Sequence, residues 1–260
     1  MPVLTTAPLW IAVVLLVGVL PLQAMCGPVV VRRFVSLERL RANNEVAGFK
    51  FATVGVLYAV LLAFAVVVVW EKFSQAENEV ANEAGAAATL YRLWDGIGPA
   101  REDLRGATSA YLAAVVEDEW PAMAAGRESP AATEALNALY ARLLAERPSD
   151  QFSTDLLSEA LYQLDQLTQA RLTRIVMTSG IVPSVVWAVL FGGAALTLGF
   201  TFFFGTENLR AQSLMTGALA LLIFAGLLVI VAIDRPFAGT VTVEPIALAH
   251  VLADFGDVQR

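Results

Sequence analysis

Four stretches of the chain carry no Asp, Glu, Lys, Arg or His on any helical face: Trp10 to Val31, Phe51 to Trp70, Ile175 to Gly205 and Ala211 to Ile233. Each is about 20 residues or longer, the length a helix needs to cross a hydrocarbon core of about 30 Å. A buried helix of a soluble protein keeps some charge on its outer face. The pattern therefore predicts four transmembrane helices. The first, Pro8 to Val31, is expected as a retained span, because no Lys or Arg precedes Trp10 and Met25 stands where a cleavage site needs a small residue.

Between the second and third stretches the pattern changes. Val80, Ala84, Ala87, Tyr91 and Trp94 fall on one face of a helix that continues the second span. Pro99 suits the first turn of a helix running to about Trp120, which Pro121 should end. Pro130 should open another, with Leu136, Leu139, Leu143 and Leu144 inside and Pro148 beyond its end. Ser149 or Ser153 is placed to cap a further helix bearing Leu157, Leu161, Leu164 and Leu167, with a break near Gly180 and Pro183. Only Thr240 to Val243 alternates as a strand would. The expected fold is all α. Residues 1–70 form spans one and two with a short basic loop, 71–174 an extramembrane domain, 175–235 spans three and four, and 236–260 a tail with a short helix.

Composition sharpens the division. Hydrophobic residues make up 57% of the 260 and charged ones 16%, against about 25% in soluble domains. The inserted domain holds seventeen acidic and nine basic residues, which accounts for the chain's net charge of −7. Near the membrane, Arg32, Arg33, Arg39, Arg41, Lys50 and Arg210 lie on one side and Lys72, Arg171, Arg174 and Arg235 on the other. Basic loops stay in the cytoplasm, so this bias of six to four places the inserted domain outside it.

Small residues recur along the spans: Gly48, Ala52, Gly55, Ala59 and Ala63 in the second, Ala188, Gly192, Ala195 and Gly199 in the third, and Ala211, Ala218, Ala225 and Ala232 in the fourth. In lipid, helices associate through close contact at such positions, within one chain or between copies. Lys50, Leu57, Leu61, Phe64 and Val68 form the opposite stripe of span two, facing lipid or a hydrophobic pore neck. Asn43, Asn44 and Glu45 read as a helix cap or as a polar ring at a pore mouth. The spans contain no buried ionisable group of the kind proton- and ion-coupled carriers use.

Other chemistry is sparse. One cysteine, Cys26, and one histidine, His250, leave no disulfide, no zinc cluster and no Ser-His or Cys-His pairing. Gly96 and Gly98 are followed by Pro99, which does not suit a phosphate loop. Glu79 and Glu83 lack a Glu-x-x-His partner for a di-iron site, and Glu117 to Glu119 read as a solvated helix end. The net charge opposes nucleic-acid binding. The expectation is no enzyme, no metal and no cofactor.

A last segment, Asp234, Arg235, Pro236, Phe237 and Gly239, is denser in features than a helix stop requires. With Asn44-Glu45 and Gly48, Glu119-Trp120, and Pro183 with Trp187, it resembles the bacterial bestrophin-like membrane proteins, a family of uncharacterised function, and more distantly the bestrophin channels. The order of these pieces extends over 43–255. The resemblance implies a homo-oligomer, usually a pentamer (a tetramer is also open), that conducts anions through a pore along the second span, in a bacterial inner membrane. It implies that Phe64 and neighbouring aliphatics form a neck, and that the large domain lies in the cytosol. The acidic domain by itself would favour cations. The leading expectation is a channel or channel-like pore, with lipid and inorganic ions as partners; the alternative is a non-conducting membrane sensor or scaffold whose helical domain binds a partner.

Overall fold

The structure, a computed structural model, describes residues 8–97, 100–239 and 241–258. Pro99 and Thr240, to which the sequence assigned a helix start and a strand start, lie outside that set, and Val241 to Val243 form no strand. Among the described residues the protein is all α, and four helices are long and apolar enough to cross a membrane. These are α1 (Leu9–Phe34), part of the 53-residue stretch Asn44–Gly96, α8 (Ser184–Phe202) and α9 (Leu209–Ile233). The remaining helices are α2 (Leu37–Ala42), α4 (Arg101–Ala114), α5 (Trp120–Ala124), α6 (Pro130–Ala145), α7 (Gln151–Val176) and α10 (Ile246–Val258), with α3 (Asn44–Leu93) supplying most of that stretch.

The chain divides into two compact units. One comprises 1–72, 180–234 and 239–241, and holds the four apolar helices. Here α9 is the most enclosed helix, with 50% of its most apolar window buried, against 11% for the second span. Glycines act as notches for large neighbours. A methyl at Gly217 would meet Met25 Cγ at 2.6 Å, at Gly193 the Tyr58 ring at 2.5 Å, and at Gly226 Leu62 Cδ2 at 2.9 Å; at Gly27 it would overlap the Phe202 ring. The small residues singled out from the sequence do not make these intrachain contacts. A methyl added at Gly55 or Gly192 would meet nothing within 4 Å, Ala59 and Ala218 are exposed, and Ala225 is half-buried. One residue along a helix is a rotation of about 100°, so Gly193 and Gly217 point where Gly192 and Ala218 do not.

The turn between α7 and α8 is held at the end of α9. Gly180 adopts φ +90°, and the Asp234 carboxylate accepts from the Ile181 and Val182 amides at 3.2 and 2.8 Å. Asp234 is buried, so these bonds replace the water it loses.

The other unit comprises 73–179, 235–238 and 242–260. Val80, Ala84, Ala87, Tyr91 and Trp94 are buried together, as the periodicity predicts. Two helix boundaries differ from expectation. Pro121 does not end a helix: a π-helical turn at Val115–Glu119 leads into α5, and Pro121 sits in the first turn of α5. There the missing N–H costs least. The cap of α7 is Asp150, whose carboxylate accepts from the Ser153 amide at 2.7 Å while Ser153 Oγ accepts from the Asp150 amide at 3.1 Å. This reciprocal pair holds the Asp150 carboxyl below its ordinary range. Ser129 caps α6, where Leu136, Leu139 and Leu143 are buried and Leu144 is exposed.

The notches make a direct prediction. A methyl at Gly205 would stand 2.6 Å from the Arg41 backbone nitrogen and 2.9 Å from the Leu40 carbonyl carbon. Neither can rotate away, so Gly205→Ala should cost about 1–3 kcal/mol. Gly55→Ala, which enters open space inside a helix, should leave stability unchanged or raise it by up to about 1 kcal/mol. Thermal denaturation of both variants in one detergent measures the contrast, and equal midpoints would contradict it.

Candidate functional site

Two places gather the residues that the sequence singled out. The first is the second span and its mouth. Leu57, Leu61, Phe64 and Val68 lie on one side of α3, and all are exposed, with Phe64 at 67%. Lys50 continues the stripe and is exposed too. Glu45 is exposed but does not share it: five residues before Lys50, it leaves the helix about 140° away.

Asn44 is occupied otherwise. Its Nδ2 donates to the Gly205 carbonyl at 2.9 Å and its Oδ1 accepts from the Gly205 amide at 2.8 Å. Asn43 donates back to the Arg39 carbonyl at 3.4 Å. Neither amide caps α3; Asn44 instead forms a reciprocal clamp on the Gly205 backbone, using one of its two donor hydrogens and one of the two acceptor sites on Oδ1. The clamp belongs to a larger fastening of the turn after α8. Arg32 Nη1 donates to the Thr206 carbonyl at 2.8 Å, Arg41 pairs with Glu207 at 2.5 Å, and Gln212 Nε2 donates to the Phe204 carbonyl at 2.7 Å. The Arg41 hydrogen bond and charge lower the Glu207 carboxyl.

The second place is a charged network inside the helical unit. Arg174 of α7 is completely buried, as are Glu83 of α3 and Glu119 of the π-helical turn. Arg174 Nε and Nη2 donate to the Glu83 carboxylate at 2.7 and 2.9 Å, and Tyr111 Oη donates to Glu83 Oε1 at 2.6 Å. Arg171 Nε donates to Glu119 Oε2 at 2.9 Å and its Nη2 to Thr133 Oγ1 at 2.9 Å. Arg174 Nη1 reaches Met123 Sδ at 3.1 Å, and Nη2 lies 3.8 Å from Glu119. Two carboxylates face two guanidinium groups. Burial pushes the Tyr111 phenol well above its ordinary value, with the Glu83 charge adding to it, so the phenol stays a donor. Burial works against the charge of Arg174, but Glu83 outweighs it and the net shift is upward.

The sequence motifs meet around this network. Glu119 belongs to it, and the Arg174 guanidinium lies 5.0 Å over the Trp120 ring. Phe237 packs edge-on to Trp120 with ring centroids 5.7 Å apart. Trp120 Nε1 donates to the Val243 carbonyl, whose own amide donates to the Pro236 carbonyl at 2.7 Å. The Arg235 carbonyl closes a turn with the Ala238 amide at 3.2 Å. Asp234 and Gly239, at φ +150°, belong to the other unit, as do Pro183 and Trp187. Glu119 is thus not part of a solvated helix end, although Glu117 and Asp118 are exposed as expected. Arg171 and Arg174 are likewise interior residues, where the sequence counted them as charges beside the membrane. Glu79 is half-buried and accepts from Asn82 Nδ2 at 3.5 Å. Among the described residues no cluster of three His, Cys, Asp or Glu could hold a metal ion.

A signal for this network exists in the sequence. Arg171 and Arg174 continue the four–three spacing of Ala160, Leu164 and Leu167. Charges on an otherwise buried stripe require buried partners.

Removing one member should therefore cost far more than a surface ion pair. Arg174→Met strands Glu83 and should destabilise the full chain by about 3–5 kcal/mol. The double variant Glu83→Leu with Arg174→Met should recover at least half of that loss. Chemical denaturation in detergent, followed by tryptophan fluorescence, compares them; a single variant as stable as wild type would refute the account.

Among known proteins, the Bestrophin-like domain matches residues 18–248. Two crystal structures of single-substitution variants of a bacterial bestrophin homologue from Klebsiella pneumoniae share the fold. One aligns with TM-score 0.69 and 14% identity over 91% of this chain and 98% of the other. The second aligns with TM-score 0.70 and 13% identity over 92% and 97%. A crystal structure described as a membrane protein variant aligns with TM-score 0.69, 14% identity, and 91% and 96% coverage. No curated protein matches by sequence. With the matched domain covering most of its length, the chain belongs to the Bestrophin-like family.

Proposed function

We propose that copies of the chain assemble around an axis as an ion channel, with the second span of each lining the pore. The observation that carries this is the bareness of that span. Its most apolar window is 11% buried by its own chain, the lowest of the four, and its bulky stripe of Leu57, Leu61, Phe64 and Val68 is exposed throughout. Lipid can cover such a face. So can the same face of neighbouring copies, leaving an apolar constriction that gates by dewetting. Membership of the Bestrophin-like family and the fold shared with the Klebsiella bestrophin homologue favour the second arrangement. Gly55, Ala59, Gly192 and Ala218, unused within the chain, are then available where copies approach.

In this reading residues 1–70 and 175–235 form the membrane part, 71–174 the extramembrane helical domain and 236–260 its tail. The subunit number is five by family analogy. Lys50 borders one end of the constriction, and Asn44 holds the mouth in shape through Gly205. The helical domain faces away from the cytoplasm, as the basic loop at Arg39 and Arg41 supports.

Two experiments bear on this. Purified protein in planar bilayers should pass current, and Phe64→Ala should raise unitary conductance, or open the pore without stimulus, by removing the largest apolar group of the stripe. Absence of current across pH, calcium and voltage would leave the non-conducting sensor or scaffold. For orientation, a Cys26→Ser background carrying either Arg39→Cys or Asp155→Cys is treated with a membrane-impermeant maleimide on intact spheroplasts. Asp155→Cys should label and Arg39→Cys should not. The reverse result would put the helical domain in the cytosol.

A further inference from the structure

On the outer flank of the apolar unit, α1 and α9 leave two adjoining hollows of about 570 and about 520 Å³. They share Met25, Val29 and Ser213, so they form one continuous groove. Arg33 borders the first and Arg210 the second. Arg33 is the penultimate residue of α1 and Arg210 the second of α9, so both stand at the same end of the groove, where the helices leave the apolar region. Both side chains are exposed, and among the described residues neither takes part in an ion pair. Their neighbours Arg32 and Arg41, by contrast, are bound to the loop after α8.

Below the arginines the walls are apolar. On α1 the groove reaches down to Leu22, eleven residues from Arg33. At 1.5 Å per residue that is about 16 Å, one leaflet of a hydrocarbon core of about 30 Å. The depth, an apolar wall and a doubly cationic rim at headgroup height match one ligand chemistry. A free anion would use the rim and leave the wall unfilled. A neutral lipid would use the wall and leave two guanidinium groups without an anion. Arginine pairs with phosphate in bidentate geometry and retains its charge at any accessible pH.

We propose that this groove between α1 and α9 is a binding site for an anionic diacyl phospholipid, its phosphate held by Arg33 and Arg210 and one acyl chain lying along Met25, Val29 and Leu22. Basic pockets between membrane helices take such headgroups. The site does not depend on the pore reading, because it lies on helices that the proposed pore does not use.

The test uses the full chain in liposomes with spin-labelled phosphatidylglycerol or phosphatidylcholine, reading the fraction of label immobilised by the protein. Phosphatidylglycerol should associate more strongly than phosphatidylcholine, by about five-fold for each arginine engaged. Arg33→Gln with Arg210→Gln should abolish the preference, whereas Arg39→Gln, outside the groove, should leave it intact. Ser213→Phe fills the groove without altering charge and should also reduce immobilised phosphatidylglycerol. Equal association of the two wild-type probes would overturn the proposal, as would a preference that survives the double substitution. Displacement of the labelled lipid by glycerol phosphate would assign the rim to free phosphate instead.

Discussion

A guanidinium group taken completely out of water tolerates very few surroundings, and Arg174 has one of them. Its partners come from three directions: Glu83 from the helix that continues the second span, Met123 and Trp120 from α5, and Glu119 from the π-helical turn before it. Isolated burial of such a charge costs many kcal/mol, and only matched geometry offsets it. Every helix that meets Arg174 is therefore fixed in rotation and register relative to α7. A shift of Glu83 by one residue along α3 would swing its carboxylate about 100° away. The hydrophobic stripes alone would permit that slip, because alanines at positions 84, 86, 87 and 88 offer nearly equivalent surfaces. Charge pairing gives this alanine-rich core a unique arrangement that apolar packing would leave loose.

The π-helical turn makes sense in these terms. Val115–Glu119 inserts extra backbone into what the sequence reads as one continuous helix. Leu104, Thr108, Tyr111 and Val115 follow the four–three–four spacing of a buried stripe, and Glu119, four residues further on, is buried too. Wide turns inside helices cost hydrogen-bond geometry and recur at functional positions. Here the turn ends on Glu119, whose carboxylate pairs with Arg171. Pro121, which reads as a stop, is accommodated because the turn has already interrupted the regular ladder of amide bonds.

How much is legible in the sequence follows from which forces act locally. The four spans are evident because lipid excludes charge from every face, a rule that needs no knowledge of partners. Pro130 and the Gly180–Pro183 break are evident because proline and positive-φ glycine act on their own neighbours. The small-residue stripes place the notches one residue off, since Gly192 and Gly193 are equivalent in sequence and differ only in whether Tyr58 points at them. Asn44 carries the same difficulty. An asparagine before a helix is most simply a cap, and its actual partner, Gly205, lies 161 positions away. Asp150 in place of Ser149 or Ser153 is a local error of a different kind, because all three residues can cap and the reciprocal Ser153 bond decides among them. The charged network escapes a reading that sorts ionic residues by their distance from the membrane and not by the stripe they occupy.

The same stripe logic bears on how a pore along the second span would treat ions. Between Lys50 and Glu71 no position of α3 carries charge, and the interval of 21 residues corresponds to about 32 Å of helix, very near one hydrocarbon core. Ions passing along Leu57, Leu61, Phe64 and Val68 would meet no fixed charge for that whole distance. Under such conditions conduction depends on whether water fills the constriction, which the size of these side chains controls. Discrimination by sign has to occur at the ends, where Lys50 stands on one side and the acidic helical domain begins with Glu71 on the other. The conflict between an anion-favouring lysine and a cation-favouring domain is therefore a property of the chain itself.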